Sequence, residues 1–231
     1  MDLGKMREVI RAFRNGASIG DVAVMKFDAL RPPPEEINAL LGDVEGYAPA
    51  LELASLDQQP EGSLGAEYAR FLRRHELQHL TVSPDLLDRF RDNPYAVRYT
   101  VTHDLHHLLT GFDTGLAGEV GVVGFTVGQG TAPMGPLGMR VVRYLYPWIS
   151  PSQAAATRHN YDLGVQMGER AKLVLAEPLE SWLADPLPEV RVRLGIDEAL
   201  IAKVEPSGRS WVAEKMYASA NRLPDAGVVH G

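Results

Sequence analysis

The residues able to do chemistry concentrate in one short run. Three of the seven histidines, His103, His106 and His107, fall within five residues. On a helix His103 and His107 are i and i+4 and stack on one face, with Asp104 adjacent and three residues before His107. Imidazole and carboxylate are the ligand types that zinc or a non-haem iron accepts, and two imidazoles with a carboxylate match the open triad of iron(II) oxygenases. Such a helix should stop at Thr110-Gly111, because glycine takes the left-handed conformation that ends helices. Eleven residues separate His107 from Glu119. That length allows a tight loop around Asp113, Thr114 and Gly115 and the first turn of a returning helix. Glu119 can then face the histidines, which makes His103, Asp104, His107 and Glu119 a candidate divalent-metal set between two antiparallel helices. The same two acids and two histidines can also satisfy one another by hydrogen bonding, without a metal. His106 should point off that face, to the surface or toward a ligand as a supporting partner.

A second histidine motif lies upstream. His75-Glu76-Leu77-Gln78-His79 reads as H-E-x-x-H, the helical signature in which two histidines bind zinc and the glutamate activates water. No glycine and histidine follow at metzincin spacing, no downstream glutamate completes the site, and Pro84 ends the helix soon after. A protease is therefore a minor alternative here.

Nearly every element that must position these residues reads as helix. Met6, Val9, Ile10 and Phe13, among Lys5, Arg7, Arg11 and Arg14, repeat at helical spacing and predict an ordinary packed amphipathic helix. Arg31-Pro32-Pro33-Pro34 is a rigid linker, and Pro34-Glu35-Glu36 opens a helix that Gly42 stops. Leu64, Tyr68, Phe71 and Leu72 mark another helix, and Ser83-Pro84-Asp85 opens one through Phe90. Asn93-Pro94 opens the histidine helix, from about Tyr95 to Leu109. A helix from Leu116 to Val127 follows, with glycines at 115, 118, 121 and 124 that either admit a close helix neighbour or leave a groove for an apolar ligand. Residues 128–138 are loop. Arg140 to Trp148 mixes cations, tyrosines, tryptophan and aliphatics, which suits a membrane interface or a buried amphipathic turn. Helices from about Pro151 to Ala176 and near Leu183 to Glu205 complete the chain. The expected architecture is all-α, one mostly helical domain over residues 1–231 with a frayed tail at about 219–231.

Composition narrows the function classes. The 231 residues carry 23 Lys and Arg against 30 Asp and Glu, a formal charge of −7 that repels phosphate backbones and argues against nucleic acid. Cysteine is absent, which excludes disulfides, thiolate metal sites and a cysteine nucleophile. No stretch approaches the roughly 18 apolar residues of a spanning helix, and no signal-type apolar core opens the chain. A soluble or membrane-surface protein of a reducing compartment is expected.

His103-Asp104-Leu105-His106-His107, Leu109-Thr110-Gly111 and Gly118-Glu119 closely resemble the H-D-x-x-H, eleven residues, E signature of the coenzyme Q biosynthesis protein 4 family. Gly62-Ser63-Leu64-Gly65 with Tyr68, Ala69, Phe71 and Leu72, then Asp92-Asn93-Pro94, then Pro188-Glu189-Val190-Arg191 with Leu194-Gly195-Ile196 agree in order, so the resemblance runs from about Pro60 to Ile196. It implies an all-α fold, peripheral association with a membrane and a place in ubiquinone biosynthesis. It also implies a divalent metal, zinc or alternatively iron, held by His103, Asp104, His107 and Glu119. Two activities go with the family. One is oxidative decarboxylation of the ring carbon bearing the carboxyl in a prenylated hydroxybenzoate; the other is a non-catalytic scaffold that organises the biosynthetic enzymes. The expected partners are a polyprenyl-ring lipid intermediate, a membrane surface and other ubiquinone biosynthesis proteins, with a homodimer as a further candidate. The expected place is cytoplasmic and peripheral on the inner membrane, or the matrix side of the mitochondrial inner membrane in a eukaryote. Two positions depart from the pattern: His106 replaces a bulky apolar residue, and the helix after Glu119 is richer in glycine.

Overall fold

A computed structural model describes residues 2–30, 35–44, 48–132, 141, 143–145, 148 and 150–208. The helices in chain order are α1 (Leu3–Arg14), α2 (Ile19–Ala29), α3 (Glu35–Leu40), α4 (Leu53–Leu56), α5 (Leu64–Arg74), α6 (Pro84–Arg89), α7 (Pro94–Thr110), α8 (Leu116–Gly128), α9 (Ala154–Arg170), α10 (Leu187–Leu194) and α11 (Glu198–Ile201). The fold is all-α. Among the described residues there is no strand, and an isolated bridge joins Ser63 to Pro186. No helix of the described residues is long and apolar enough to cross a membrane.

The centre of the molecule is α7. Asn93 caps it by accepting from the Ala96 amide (3.2 Å), Pro94 supplies a preset first turn, and Gly111 closes it at φ 77°. Of its 17 residues, all but His103 and Leu108 are buried, so it is surrounded rather than amphipathic. A helix enclosed in this way must satisfy its own polar side chains. Thr100, Thr102 and Thr110 do so by donating to the carbonyls of Ala96, Arg98 and His106, at 2.8, 2.7 and 2.6 Å. Arg98, fully buried, donates to Glu180 Oε1 (2.6 Å) and to the carbonyls of Leu175 and Glu177 (3.2 and 3.0 Å).

Apolar side chains gather on both ends of α7. One cluster joins Tyr68, Phe71, Leu72, Leu105, Leu109, Phe125 and Met167 to Leu187, Val190 and Leu194. The other joins Val24, Phe27, Tyr95, Val97, Tyr99 and Leu175.

The glycines at 121 and 124 serve helix packing. A Cβ at Gly124 would overlap the Tyr161 carbonyl, one at Gly164 the Gly121 carbonyl, and one at Gly168 the Phe125 carbonyl. Glycines on α8 and α9 thus let the two backbones touch at Gly124, while the Cβ positions of Gly115, Gly118 and Gly121 are taken up by Ser207, Asp113 and the Phe112 ring, so these positions are packed and form no ligand groove.

Several expectations need correcting. Helix α2 was not foreseen, although Ser18 caps it by accepting from the Asp21 amide at 3.1 Å. The helix expected to reach Ala176 ends at Arg170, because Ala171 turns extended (ψ 152°) and the Lys172 amide donates to the Leu194 carbonyl at 2.8 Å. The region from Leu183 to Glu205 is two helices divided by Gly195 at φ 75°. Helix α1 forms and packs against α2 as expected, but that packing covers only part of its apolar side: Val9 is buried, whereas Leu3, Ile10 and Phe13 are exposed. The proline linker at 31–34, residues 133–138 of the expected loop, Arg140, Val142, Tyr146 and Pro147 of the aromatic stretch and the tail at 219–231 lie outside the described residues.

Candidate functional site

The loop after Gly111 sets the spacing between histidines and glutamate. Phe112 is buried and its carbonyl accepts from His107 Nδ1 at 3.1 Å. Asp113 then organises the start of α8, its Oδ1 accepting from the Gly115 amide at 2.9 Å. Gly115 has no side chain to cap α8, and the cap comes from far along the chain. Ser207 Oγ accepts from the Gly118 amide (3.1 Å) and donates to Asp113 Oδ1 (2.5 Å), while the Ser207 amide donates to Asp113 Oδ2 (2.7 Å). Segment 205–207 is held beside it by Asn160, whose side chain bonds the Glu205 backbone in both directions (2.8 and 3.0 Å). Glu119 is the next residue and sits in the first turn of α8, where the helix dipole favours a carboxylate.

Three of the four expected residues meet. One donor atom each from His103, His107 and Glu119 lies within 4.8 Å of the others. Glu119 Oε1 is 3.6 Å from His107 Nε2, and Oε2 is 3.9 Å from His103 Nε2. Asp104 stands beside this group, its Oδ1 3.4 Å from the other ring nitrogen of His103, Nδ1.

The donor chemistry fits a divalent cation. His107 gives its Nδ1 proton to the Phe112 carbonyl, so its Nε2 carries a lone pair that is buried and has no hydrogen-bond donor. Such an orphan is uncommon in a native interior. Burial lowers the pKa of His107, with Glu119 opposing only in part, so the ring is neutral as a metal ligand must be. Burial also resists charging at His103, but the Asp104 hydrogen bond and the Glu119 carboxylate outweigh it and raise its pKa. Ligand bonds of about 2.0–2.2 Å imply donor spacings of about 3.3 Å at tetrahedral angles. The Glu119–His107 and Glu119–His103 separations of 3.6 and 3.9 Å are somewhat longer than that, and the three donor atoms as a set lie within 4.8 Å of one another.

The remaining histidines differ from expectation. His106 is neither at the surface nor beside the triad's donors. It is 2% exposed, donates from Nδ1 to the Thr102 carbonyl (2.8 Å), and lies against the rings of Tyr99 and Phe125. Burial pushes its pKa down to about 3. The H-E-x-x-H run is not helical: α5 ends at Arg74, and Glu76 adopts φ 54°. His79 donates from Nε2 to the Pro49 carbonyl (3.3 Å) and accepts from the Tyr68 hydroxyl at Nδ1 (3.0 Å), while His75 bonds Thr114 at 2.9 Å. Without the helix the two histidines lose the stacking that a zinc protease needs.

Two residues near the site gave no signal in the sequence. Ser207 lies 89 positions from the amide it caps. Lys26 rests 4.5 Å over Phe27, which packs on Tyr99 (4.4 Å), which in turn meets His103 (6.1 Å). Burial lowers the pKa of Lys26 and the attraction of Glu119 opposes it, while the lysine's charge works against protonation of His103.

Residues 48–199 match the family model described as coenzyme Q (ubiquinone) biosynthesis protein Coq4. The mitochondrial ubiquinone biosynthesis protein COQ4 homologue of Danio rerio is 32% identical over 83% of this chain and 72% of its own length. The Xenopus tropicalis homologue, also mitochondrial, is 30% identical over 78% of this chain, and the chain spans 64% of that relative's length. The human homologue is 31% identical over 73% of this chain and 63% of its own length. A crystal structure of a Nostoc punctiforme protein assigned to ubiquinone biosynthesis shares the fold, with a TM-score of 0.56 at 23% identity over 84% of this chain and 90% of that one. The family match covers the histidine helix, its returning partner and the turn between them, and the chain belongs to the Coq4 family of coenzyme Q (ubiquinone) biosynthesis proteins.

Proposed function

We propose that the chain works in ubiquinone biosynthesis as a metal-dependent oxidative decarboxylase of a prenylated hydroxybenzoate. The observation that carries this reading is the triad of His103, His107 and Glu119, with the buried Nε2 of His107 lacking any donor. In this reading the three residues hold the metal, zinc or iron, and Asp104 is the fourth member of the set. Asp104 accepts from His103 Nδ1 and so turns Nε2 toward the metal, the carboxylate support that ligating histidines usually have. A divalent metal held there would supply Lewis acidity toward the ring's carboxylate and phenolate oxygens and, if iron, redox chemistry. Net, the prenylated hydroxybenzoate, dioxygen and water would give carbon dioxide, a ring hydroxyl where the carboxyl stood, and hydrogen peroxide, with dioxygen as the two-electron oxidant. Lys26 adds a positive charge at the same site, suited to an anionic ring.

The second reading is the non-catalytic scaffold, in which the metal ties α7 to α8 and the protein presents prenylated intermediates to partner enzymes. The exposure of Tyr144, Leu145 and Trp148 (62, 54 and 84%) beside Arg143 favours a membrane or protein contact in either reading. The proposed place is the surface of the inner membrane, on the matrix side in a eukaryote, and a homodimer is compatible with it.

Elemental mass spectrometry on tag-free protein tests the site. About one metal per chain is expected, lost in His103→Ala with His107→Ala and kept in His75→Ala with His79→Ala. Metal that survives the first pair removes the triad from the proposal. Turnover is then tested by supplying iron or zinc, dioxygen and a prenylated hydroxybenzoate and measuring carbon dioxide release. A loaded protein that leaves the carboxyl intact favours the scaffold.

A further inference from the structure

Helix α1 is fastened along one side and leaves its apolar stripe on the other. The Asp2 amide donates to the Ala29 carbonyl (2.8 Å), Lys5 pairs with Asp28 (2.8 Å) and Glu8 with Arg89 (2.8 Å), and Val9 is its buried residue. Leu3, Ile10 and Phe13 are 65, 48 and 53% exposed, and Ile19, at the start of α2, is 48% exposed. Positions 3, 10 and 13 fall on one stripe of a 3.6-residue helix. Arg7, Arg11 and Arg14, spaced i, i+4 and i+7, form a second stripe about a quarter turn away. All three are exposed, and among the described residues they make no ion pair. Lys5 and these three arginines against Glu8 give α1 a local charge of +3 on a chain whose total is −7.

Charge selects the occupant of this face. A second copy packed about a two-fold axis would set the same three arginines against each other. An anionic bilayer offers what both stripes lack: acyl chains for the aliphatic and aromatic side chains, and phosphates for guanidinium groups whose stems reach up to the headgroup level. We infer that α1 is an in-plane membrane anchor, with Leu3, Ile10 and Phe13 inserted below the headgroups of an anionic lipid surface and Arg7, Arg11 and Arg14 bound to its phosphates. The stripe lies outside residues 48–199, so the family match does not supply it. The inference deepens the membrane contact proposed above and is independent of the metal chemistry.

Co-sedimentation of the full chain with phosphatidylcholine vesicles, with and without phosphatidylglycerol, tests it. The variants are Ile10→Asp with Phe13→Asp, the triple Arg7→Gln, Arg11→Gln and Arg14→Gln, and Trp148→Ala. Circular dichroism and light scattering run alongside. Wild type should partition into the anionic vesicles and weaken with salt. Both α1 variants should fold and lose about tenfold or more in partition coefficient. The arginine triple changes only exposed side chains, so it remains a test if the aspartates disturb the fold. Wild-type partitioning by the folded α1 variants overturns the inference. Loss in Trp148→Ala alone overturns it but keeps the membrane reading, and no wild-type binding to either vesicle removes both. A dimer that the α1 variants convert to monomer, with vesicle binding unchanged, assigns the face to a second copy and overturns the lipid anchor.

Discussion

His106 shows how one atom can carry pH dependence into the core. Its Nδ1 is satisfied by the Thr102 carbonyl, but its Nε2 is buried without a partner among aromatic rings. With a folded pKa of about 3 against about 6.5 unfolded, the unfolded chain binds the proton first as pH falls. The native state is therefore unaffected well above pH 6.5 and loses up to about 1.4 kcal/mol per pH unit between 6.5 and 3 from this group. His106→Leu removes that slope and, by replacing an orphaned polar atom with methyl groups, should raise stability at pH 7 by about 1 kcal/mol. Urea titrations of both proteins at pH 7 and pH 5 check it, and equal slopes would show that the ring is not held neutral. The spacing of His103, His107 and Glu119 was legible because i, i+4 and a glycine stop are local rules. The place of His106 was not, because which face of α7 meets Tyr99 and Phe125 depends on residues from other helices.

Elements that touch backbone to backbone leave less room for error than those separated by side chains. Gly124→Ala and Gly164→Ala each drive a methyl into a carbonyl across the α8–α9 contact and should destabilise by about 1–3 kcal/mol. Gly42→Ala, with nothing near its Cβ, should stay within about 0.5 kcal/mol. Similar losses at all three would deny the close approach. Ser207 acts at the same scale. Ser207→Ala leaves the Gly118 amide uncapped and removes the hydroxyl bond to Asp113, which keeps only its bonds from the Gly115 and Ser207 amides, so the turn that leads into Glu119 loosens. Metal affinity should fall on the order of tenfold, as when a ligand's supporting hydrogen bonds are removed, and Ser207→Thr should restore part of it; unchanged metal titrations in Ser207→Ala would reject the role. The starts of α6 and α7 were readable from the Ser83-Pro84 and Asn93-Pro94 pairs, and that of α3 from the acids Glu35 and Glu36. The end of α9 was not, since the extended turn at Ala171 is fixed by the bond from the Lys172 amide to the Leu194 carbonyl, 22 residues further on.

Across the whole molecule, Arg98 is the residue whose loss should be felt furthest. It leaves α7 and binds three groups of the segment from Leu175 to Glu180, and that segment contributes Leu175 to one apolar cluster and Leu179 to the other. Nothing in the sequence marked Arg98 or Glu180, because a buried ion pair 82 residues apart has no local pattern. Removing one member strands the other charge in the interior, which typically costs about 3–5 kcal/mol. Arg98→Ala should accordingly lower the Tm by on the order of 10 °C for a chain of this size. Arg98→Met with Glu180→Leu should recover much of that loss, since paired apolar replacements of similar volume remove both desolvated charges together. Calorimetry of the single and double variants separates two accounts. If the double variant is as unstable as the single one, what matters is the guanidinium's bonds to the Leu175 and Glu177 carbonyls. If it recovers, the penalty in Arg98→Ala is that of the stranded Glu180 carboxylate, and the segment is held to α7 mainly by the packing of Leu175 and Leu179.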